Sequence, residues 1–247
     1  MASSLIRQIA FSLLCFCSLP ANSDDESELP AFAFGWSNND DTFDAGETAT
    51  IKVIVLGNFD FAKHDFRFNP NVSVNDKVGN SCFVSGMALH LDGATETWSI
   101  SFIPIMVGLF NVLVVDQHFR VLDSSLHFHV NPGRMYPAAG VVSWKDDRNE
   151  VTAGTRVELL ILPKDAFGNN ISSSSSQESV DQDDFTLFAS TSEGLPANLT
   201  DIANKGRNGR GYLNLEFTAV TAGILLLHVQ IQNQTLQGSP LPFKVNP

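Results

Sequence analysis

The chain carries an internal repeat whose length fits one small domain. Phe-His-Val-Asn-Pro at residues 128–132 returns as Phe-Lys-Val-Asn-Pro at residues 243–247, an offset of 115 residues. Nearer the start of each copy, Trp36 matches Trp144 at an offset of 108 residues. The difference predicts an insertion in the second copy, within the polar stretch 172–184. A period of about 110 residues is too long for a solenoid unit and matches one sandwich domain.

Both copies show the periodicity of β-strands, and neither contains a long segment of helical period. Short runs of alternating or continuously apolar residues are separated by clusters of Gly, Pro, Asn and Asp. This pattern predicts an all-β fold of two tandem immunoglobulin-like β-sandwich domains, one for each copy. The predicted strands include residues 48–55, 98–102 and 108–115 in the first copy and residues 156–162, 212–217 and 223–231 in the second.

Residues 1–23 have the pattern of a secretory signal peptide. Arg7 supplies a positive charge, an apolar stretch follows it, and Ala21-Asn22-Ser23 provides a cleavage site. About eleven apolar residues are too few to cross a bilayer, which needs roughly twenty, so cleavage is favoured over a signal anchor. The two domains are then predicted at residues 24–132 and 133–247.

A short linker, residues 131–137, joins the two copies. Its two prolines predict restricted swing between domains placed end to end. Because the closing motif of the first copy leads straight into the second, the same motif at residues 243–247 predicts a further repeat in a longer extracellular protein.

Removal of the signal peptide would leave Cys82 as the only cysteine. An intrachain disulfide is then impossible, so packing alone must hold each sandwich together. We interpret Cys82 as a buried small hydrophobic residue, with pairing to another chain as the alternative.

The charge balance and the missing motifs argue against several functions. A net charge of −12 disfavours nucleic-acid binding, which needs clustered Lys and Arg. The sequence has no nucleophile elbow, zinc-protease, P-loop or dinucleotide motif, so we predict no enzyme activity, cofactor or small-molecule substrate. The longest other apolar run, residues 103–115, is too short to span a membrane, and we predict no membrane anchor in this chain.

Two groups of residues could bind a metal. His127 and His129 lie two apart on one strand and therefore share a face, although no third ligand is evident. Acidic groups at residues 40–44 and 181–184 could hold calcium, and solvated loops are the simpler interpretation. We therefore predict no metal site.

A basic cluster alternates with glycines in the second copy. This alternation predicts a mobile turn between strands, with a contact of these basic side chains to a partner as the alternative. The residues are Lys205, Arg207 and Arg210.

Four sequons are candidates for N-glycosylation. Asn71, Asn170 and Asn198 fall in predicted loops, and Asn233 falls in the hairpin before the last strand. Each is thus expected at a surface position that could carry a glycan.

The second copy resembles the filamin-type immunoglobulin repeat. That family has an Ala-Gly turn before its second strand, an Asp-x-x-Gly-Asn turn after it, and a closing Gly-Ser-Pro-Phe-x-Val motif. The second copy has Ala153-Gly154, Asp-Ala-Phe-Gly-Asn at residues 165–169 and Gly-Ser-Pro-Leu-Pro-Phe-Lys-Val at residues 238–245. The first copy keeps the Pro-x-x-x-Gly bend at residues 104–108 and is more divergent elsewhere.

A signal peptide followed by filamin-type repeats resembles the plant gamete-expressed adhesion proteins of the sperm surface. The resemblance implies attachment of sperm to the egg and central cell before fusion. The implied role is a non-enzymatic adhesion module on the extracellular face of the plasma membrane, with a protein partner on another cell or in the same membrane.

Two other functions compete with this one. The first is an intracellular filamin-like, actin-associated scaffold whose apparent signal peptide is fortuitous. The second is a carbohydrate-binding accessory domain of a secreted enzyme, which would expose aromatic platforms. Trp36, Trp98 and Trp144 instead occupy framework positions and are expected to pack in or near the cores.

Filamin-type repeats bind partner peptides by strand addition at a sheet edge. The resemblance places the edge strand at residues 65–68 in the first copy and 184–189 in the second. Replacing Thr186 with proline is then expected to remove a ladder donor. The implied contact residues are Phe185, Thr186, Leu187 and Phe188.

Overall fold

The computed structural model describes residues 31–57, 70–82, 84–92, 97–146, 148–171 and 185–247. Their regular secondary structure consists of β-strands and a single 3-10 turn at Pro137–Ala139. The all-β fold class is therefore confirmed. Residues 32–55 and 68–247 form one compact unit, which contains most of both repeats.

In the first repeat, the described strands form two sheets. One has the order β1-β3-β6-β5, and the other has the order β2-β9-β7-β4 with β8 beside β7. The strands are β1 (Ala31–Trp36), β2 (Thr42–Asp44), β3 (Ala49–Leu56), β4 (Asn71–Asp76), β5 (Val84–Asp92), β6 (Thr97–Pro104), β7 (Gly108–Val115), β8 (Val121–Asp123) and β9 (His127–Asn131).

The second repeat has the same arrangement. Its sheets have the orders β10-β12-β16-β15 and β11-β19-β17-β13-β14, with β18 beside β17. The strands are β10 (Val141–Trp144), β11 (Glu150–Thr152), β12 (Arg156–Leu162), β13 (Phe185–Thr191), β14 (Pro196–Ala197), β15 (Leu199–Arg207), β16 (Leu213–Ala219), β17 (Gly223–Ile231), β18 (Gln234–Thr235) and β19 (Leu241–Asn246).

Alternation along each strand places one set of side chains in the core. In β12, Val157, Leu159 and Ile161 are buried while the residues between them are more exposed. This follows from the two-residue period of a strand, which sends successive side chains to opposite faces. Burying each such side chain contributes roughly 1.5–3 kcal/mol relative to exposure.

The strand registers show where the two repeats differ in length. Ile51 lies opposite Ile100 in the first repeat, and Leu159 lies opposite Leu215 in the second. The first members of these pairs are offset by 108 residues and the second members by 115. The pairing of β13 with β17 keeps the larger offset from the pairing of β4 with β7, so the change falls between β12 and β13, as predicted. Residues 172–184 themselves lie outside the described residues.

Equivalent aromatic side chains bridge the two sheets of each sandwich. In the first repeat the ring of Phe128 lies 5.4 Å from Trp36 and 5.7 Å from Phe102, centroid to centroid. In the second, Phe243 lies 5.5 Å from Trp144 and 6.0 Å from Phe217. The expectation that Trp36 and Trp144 pack at the cores is confirmed.

The apolar run 103–115 covers the end of β6, a bend and β7. Both strands alternate between buried and partly exposed side chains, as faces of a sandwich do. Among the residues that the structure describes, no helix has the length and apolar character needed to cross a membrane.

Candidate recognition sites

The strand that the resemblance assigns to partner binding lies at a sheet edge. β13 pairs with β17 at all seven of its residues. On its other side it pairs with β14 only at Ala189 and Ser190. Among the described residues, the outer edge of residues 185–188 therefore has no ladder partner.

The backbone direction decides which residues of this edge can donate outward. The N–H of Thr191 donates to the carbonyl of Leu195 at 2.8 Å, on the β14 side of β13. Because successive residues of a strand point their N–H groups to opposite sides, Leu187 and Phe185 also point outward, and Thr186 points toward β17. Replacing Thr186 with proline would therefore remove a ladder donor to β17, inside the sheet, rather than a donor at the outer edge.

The side chains of this edge are divided between the core and the surface. Leu187 is buried, Phe185 packs partly against the core, and Thr186 and Phe188 are exposed. The ring of Phe188 stacks on His228 with centroids 4.5 Å apart and an interplanar angle of 2°. The edge thus borders a surface on which one aromatic pair has a fixed orientation.

The corresponding edge of the first repeat is covered in a similar way, at residues 74–76. The strand beside β7 is β4, Asn71–Asp76, whereas the predicted range 65–68 lies outside the described residues. The N–H of Cys82 donates to the carbonyl of Val74 at 2.7 Å, and the N–H of Asp76 donates to Asn80 at 2.9 Å. The chain after β4 therefore folds back along its outer side, as the chain after β13 does at Ala189 and Ser190.

Cys82 lies in this returning segment and is 8% exposed. Burial raises the pKa of its thiol, and the nearby charge of Asp76 raises it further. The thiolate is the reactive form, so Cys82 is held in its unreactive state at neutral pH. Its interpretation as a buried small hydrophobic residue is confirmed.

The turn at residues 165–169 holds the linker between the repeats. Asp165 is 1% exposed, and its Oδ2 accepts hydrogen bonds from the N–H of Gly133 at 2.9 Å and Nδ2 of Asn169 at 2.8 Å. Its Oδ1 accepts the N–H groups of Phe167 and Asn169, both at 2.9 Å. One buried carboxylate with four donors therefore connects the turn at residues 165–169 to the linker at Gly133, and we call this connection the joint.

The same turn also contacts the first repeat directly. Nδ2 of Asn169 donates to the carbonyl of Ile105 at 2.9 Å, and the N–H of Val107 donates to Oδ1 of Asn169 at 3.4 Å. The ring of Phe167 lies so close to Gly46 that a Cβ there would be 2.7 Å from it. The joint thus connects the repeats through side chains as well as through the linker.

Comparison with known proteins identifies the family. The profile described as the GEX2 N-terminal Ig-like domain matches residues 30–130 and 138–245. The chain belongs to this family. The two matches correspond to the two repeats, and they confirm the resemblance drawn from the sequence.

A relative from this comparison is Protein GAMETE EXPRESSED 2 of Arabidopsis thaliana. It is 44% identical over 141 residues, which cover 57% of this chain and 15% of the relative. The chain therefore corresponds to a small part of that protein's length.

Several solved structures are similar to this chain at low sequence identity. The adhesin FdeC of Escherichia coli is 17% identical with a TM-score of 0.49, covering 87% of this chain and 64% of its own. The bacterial integrin-binding protein invasin is 13% identical with a TM-score of 0.42, covering 87% and 40%. The filamin domain of Lin-41 is 14% identical with a TM-score of 0.33, covering 46% and 98%. The family assignment rests on the two profile matches.

All four sequons of this family member are exposed in the structure. Asn71 is the first residue of β4, so its predicted loop position is wrong. Asn170 follows the joint turn, Asn198 lies between β14 and β15, and Asn233 lies in the hairpin between β17 and β18. Each side chain is placed where an attached glycan would meet solvent, and their occupancy stays a prediction.

The described candidate metal ligands do not gather into a site. His127 and His129 are exposed on β9, and the nearest carboxylate oxygen to Nε2 of His127 is Oδ2 of Asp41, 3.9 Å away. Within the described residues, no group of three or more His, Cys, Asp or Glu side chains could hold a metal ion. The acidic stretch 181–184 lies outside those residues.

The basic cluster is not the mobile turn that its glycines predict. Lys205 and Arg207 lie on β15, and only Arg210 lies in the following turn. Nζ of Lys205 lies 3.1 Å from Oε2 of Glu216, and Nη1 of Arg207 donates to the carbonyl of Ile171 at 2.8 Å. Burial lowers the pKa of the Arg207 guanidinium. Two of the three basic groups are therefore engaged within the domain.

Proposed function

We propose that this chain is the adhesive part of a non-enzymatic extracellular protein that attaches a plant sperm cell to its partner cell before fusion. The observation that carries the proposal is the match of the GEX2 N-terminal Ig-like profile to both repeats. The gamete-expressed relative from Arabidopsis thaliana supports the cell type. The signal-like residues 1–23 support delivery to the outer face of the plasma membrane.

Two features of the fold support a binding role. The open edge of residues 185–188 offers the main-chain groups of Phe185 and Leu187 to an extended segment of a protein partner. The hydrogen bonds around Asp165 oppose swinging of the repeats and so keep a binding surface in a constant orientation. The partner lies on the opposing cell or in the same membrane.

Localisation and competition test the proposal. A fluorescent protein fused behind the chain, with the N-terminus intact, should label the surface of sperm cells and be cleaved by protease added outside. Soluble chain added to isolated gametes should reduce the number of attached pairs in a dose-dependent way. A cytosolic or filament-associated signal, which the intracellular scaffold predicts, would contradict the proposal.

The edge is tested by a matched pair of substitutions at one residue. Phe185→Pro removes an outward donor, whereas Phe185→Ala removes the same side chain and keeps the donor. We expect Phe185→Pro to weaken competition well beyond Phe185→Ala, with both variants folded by circular dichroism. Equal competition by the two variants would argue against strand addition at β13.

A further inference from the structure

Five hairpin turns in the described part of the chain share one backbone geometry. In each, the N–H of the first residue donates to the carbonyl of the fifth, and the N–H of the fourth donates to the carbonyl of the first. The fourth residue has a positive φ, which is unfavourable for any residue with a side chain. The turns span residues 76–80, 116–120, 165–169, 191–195 and 208–212.

Phe119 is the exception among the residues at the fourth position. The other four are Gly79, Gly168, Gly194 and Gly211, with φ between 82° and 88°. Phe119 has a φ of 61° and is 79% exposed. A bulky aromatic side chain therefore occupies a left-handed position and faces water, although it contributes little packing there.

The hairpin beneath Phe119 is held in place by one buried carboxylate. Asp116 is 9% exposed, and its Oδ1 accepts the N–H groups of His118 at 2.8 Å and Arg120 at 2.9 Å. Its Oδ2 accepts a hydrogen bond from Nε of Arg120 at 2.6 Å. These bonds fix the backbone on both sides of Phe119, so the ring is presented from a rigid support.

The surroundings of Phe119 give this tip its chemical character. The tip follows the last residue of β7, and the first residue of β7 lies beside the turn at residues 165–169. The length of β7, roughly 25 Å, therefore separates the tip from that turn. Val121, beside it, is 61% exposed. The charges of Asp116 and Arg120 neutralise each other. Two exposed apolar side chains, beside the exposed polar Gln117 and His118, thus project from a chain whose net charge is −12.

We propose that Phe119 is a binding anchor that inserts into an apolar pocket of the protein partner; the proposal rests on the function proposed above. Rigidly presented aromatic side chains are typical of the residues that dominate protein interfaces. Backbone strain of this kind gathers at functional sites. A bilayer is the less suitable target, because insertion at membrane surfaces is usually supported by basic residues and this chain is acidic.

The test combines stability with cell binding in the complete two-repeat chain. Fluorescent chain is titrated onto isolated plant egg cells, with leaf protoplasts as the control surface, and the melting temperature is measured in parallel. Phe119→Gly relieves the strain, so we expect its melting temperature to rise by roughly 2–5 °C. Its half-saturating concentration on egg cells should rise at least about tenfold.

Val78→Ser is the matched control, since Val78 lies in the same kind of turn in the same repeat and is 86% exposed. It should change neither measurement. Unchanged egg-cell binding by Phe119→Gly, or a lower melting temperature, would overturn the anchor while leaving the proposed function intact. No binding by the wild-type chain would instead remove both.

Vesicles separate a protein pocket from a bilayer. The chain should bind neither phosphatidylcholine vesicles nor phosphatidylcholine–phosphatidylserine vesicles. Vesicle binding that Phe119→Gly abolishes would identify the bilayer as the target and overturn the protein partner.

Discussion

The turns at residues 165–169 and 116–120 have the same backbone geometry and opposite surroundings. In the first, the buried Oδ2 of Asp165 accepts a hydrogen bond from the linker at Gly133, and Asn169 of the same turn contacts the first repeat. In the second, Oδ2 of Asp116 binds only Arg120 of its own hairpin, and the tip faces solvent. The comparison shows that a local hydrogen-bond pattern determines the shape of a turn, whereas its neighbours determine its use.

The largest expected effect tests whether the joint turn does more than shape its own loop. Asp165→Ala leaves the buried N–H of Gly133 and the part-buried N–H groups of Phe167 and Asn169 without their acceptor. We expect a loss of about 3 kcal/mol or more in the free energy of unfolding, measured by urea denaturation.

Asp76→Ala is the matched control for Asp165→Ala. Asp76 accepts the same bonds from Val78 and Asn80 within an exposed turn of the first repeat. Its loss should therefore be much smaller. Similar losses for the two variants would mean that the contacts between repeats add nothing to stability.

A second pair of substitutions isolates the contact of Phe167 with the first repeat. Gly46 and Gly154 occupy equivalent turns with φ of 92° and 80°, but only Gly46 faces the Phe167 ring. Gly154→Ala should cost about 1 kcal/mol through backbone strain, and Gly46→Ala about 2 kcal/mol. Adding Phe167→Ala should bring the cost of Gly46→Ala close to that of Gly154→Ala. An unchanged cost would locate the effect in the backbone alone.

The effect of backbone strain on stability can also be tested by introducing strain at Gly79, whereas Phe119→Gly would remove it. Gly79 has a φ of 88° and open space around its Cα, so Gly79→Ala tests backbone strain without a steric clash. We expect it to lower the free energy of unfolding by about 1 kcal/mol. Phe119→Gly should change it in the opposite direction. A loss in both variants would show that Phe119 stabilises its hairpin.

The smallest expected effect is a change in the stabilising contribution of Asp116 at acid pH. Burial alone would raise the pKa of Asp116, but hydrogen bonds from Arg120 and His118 outweigh burial and hold the pKa below its ordinary value of 3.8. A carboxyl whose folded pKa is depressed stabilises the fold above about pH 4, and this contribution is lost as pH falls through the folded pKa. The melting-temperature difference between wild type and Asp116→Asn should therefore shrink between about pH 5 and pH 2. A constant difference would contradict this assignment.

Many of the strands could be predicted because the hydrophobic pattern of each segment agrees with that of its equivalent in the other repeat. The bounds of β7, β12 and β17 coincide with predicted strands, since the runs of β7 and β17 begin at glycine and that of β12 ends before Pro163. The repeat then extends each assignment to the other copy. The range 65–68, which the resemblance gave for the edge strand of the first repeat, lies outside the described residues, and the strand beside β7 is β4, set by the pairing of Val72 and Val74.

The basic cluster shows the limit of turn signals. Glycines beside Lys205 and Arg207 predict a loop, yet β15 continues through them with two register shifts. Irregular edge strands can accommodate such glycines as bulges. Pairing with β16 and the neighbouring Glu216 decided the conformation.

Some features had a signal that the sequence analysis missed. Residues 76–80 repeat the Asp-x-x-Gly-Asn pattern of residues 165–169, and a search for that pattern would have found both turns. The turn at residues 116–120 has no glycine, so the left-handed conformation of Phe119 could not be predicted. Only the hydrogen bonds to Asp116 reveal it.

By itself, the sequence determined that this protein is two copies of one β-sandwich, because periodic burial and a long repeat are written along the chain. The tertiary structure alone decided which edge stays open, which N–H groups face outward, and which of several similar turns joins the repeats. These depend on partners far apart in sequence, which no local pattern records.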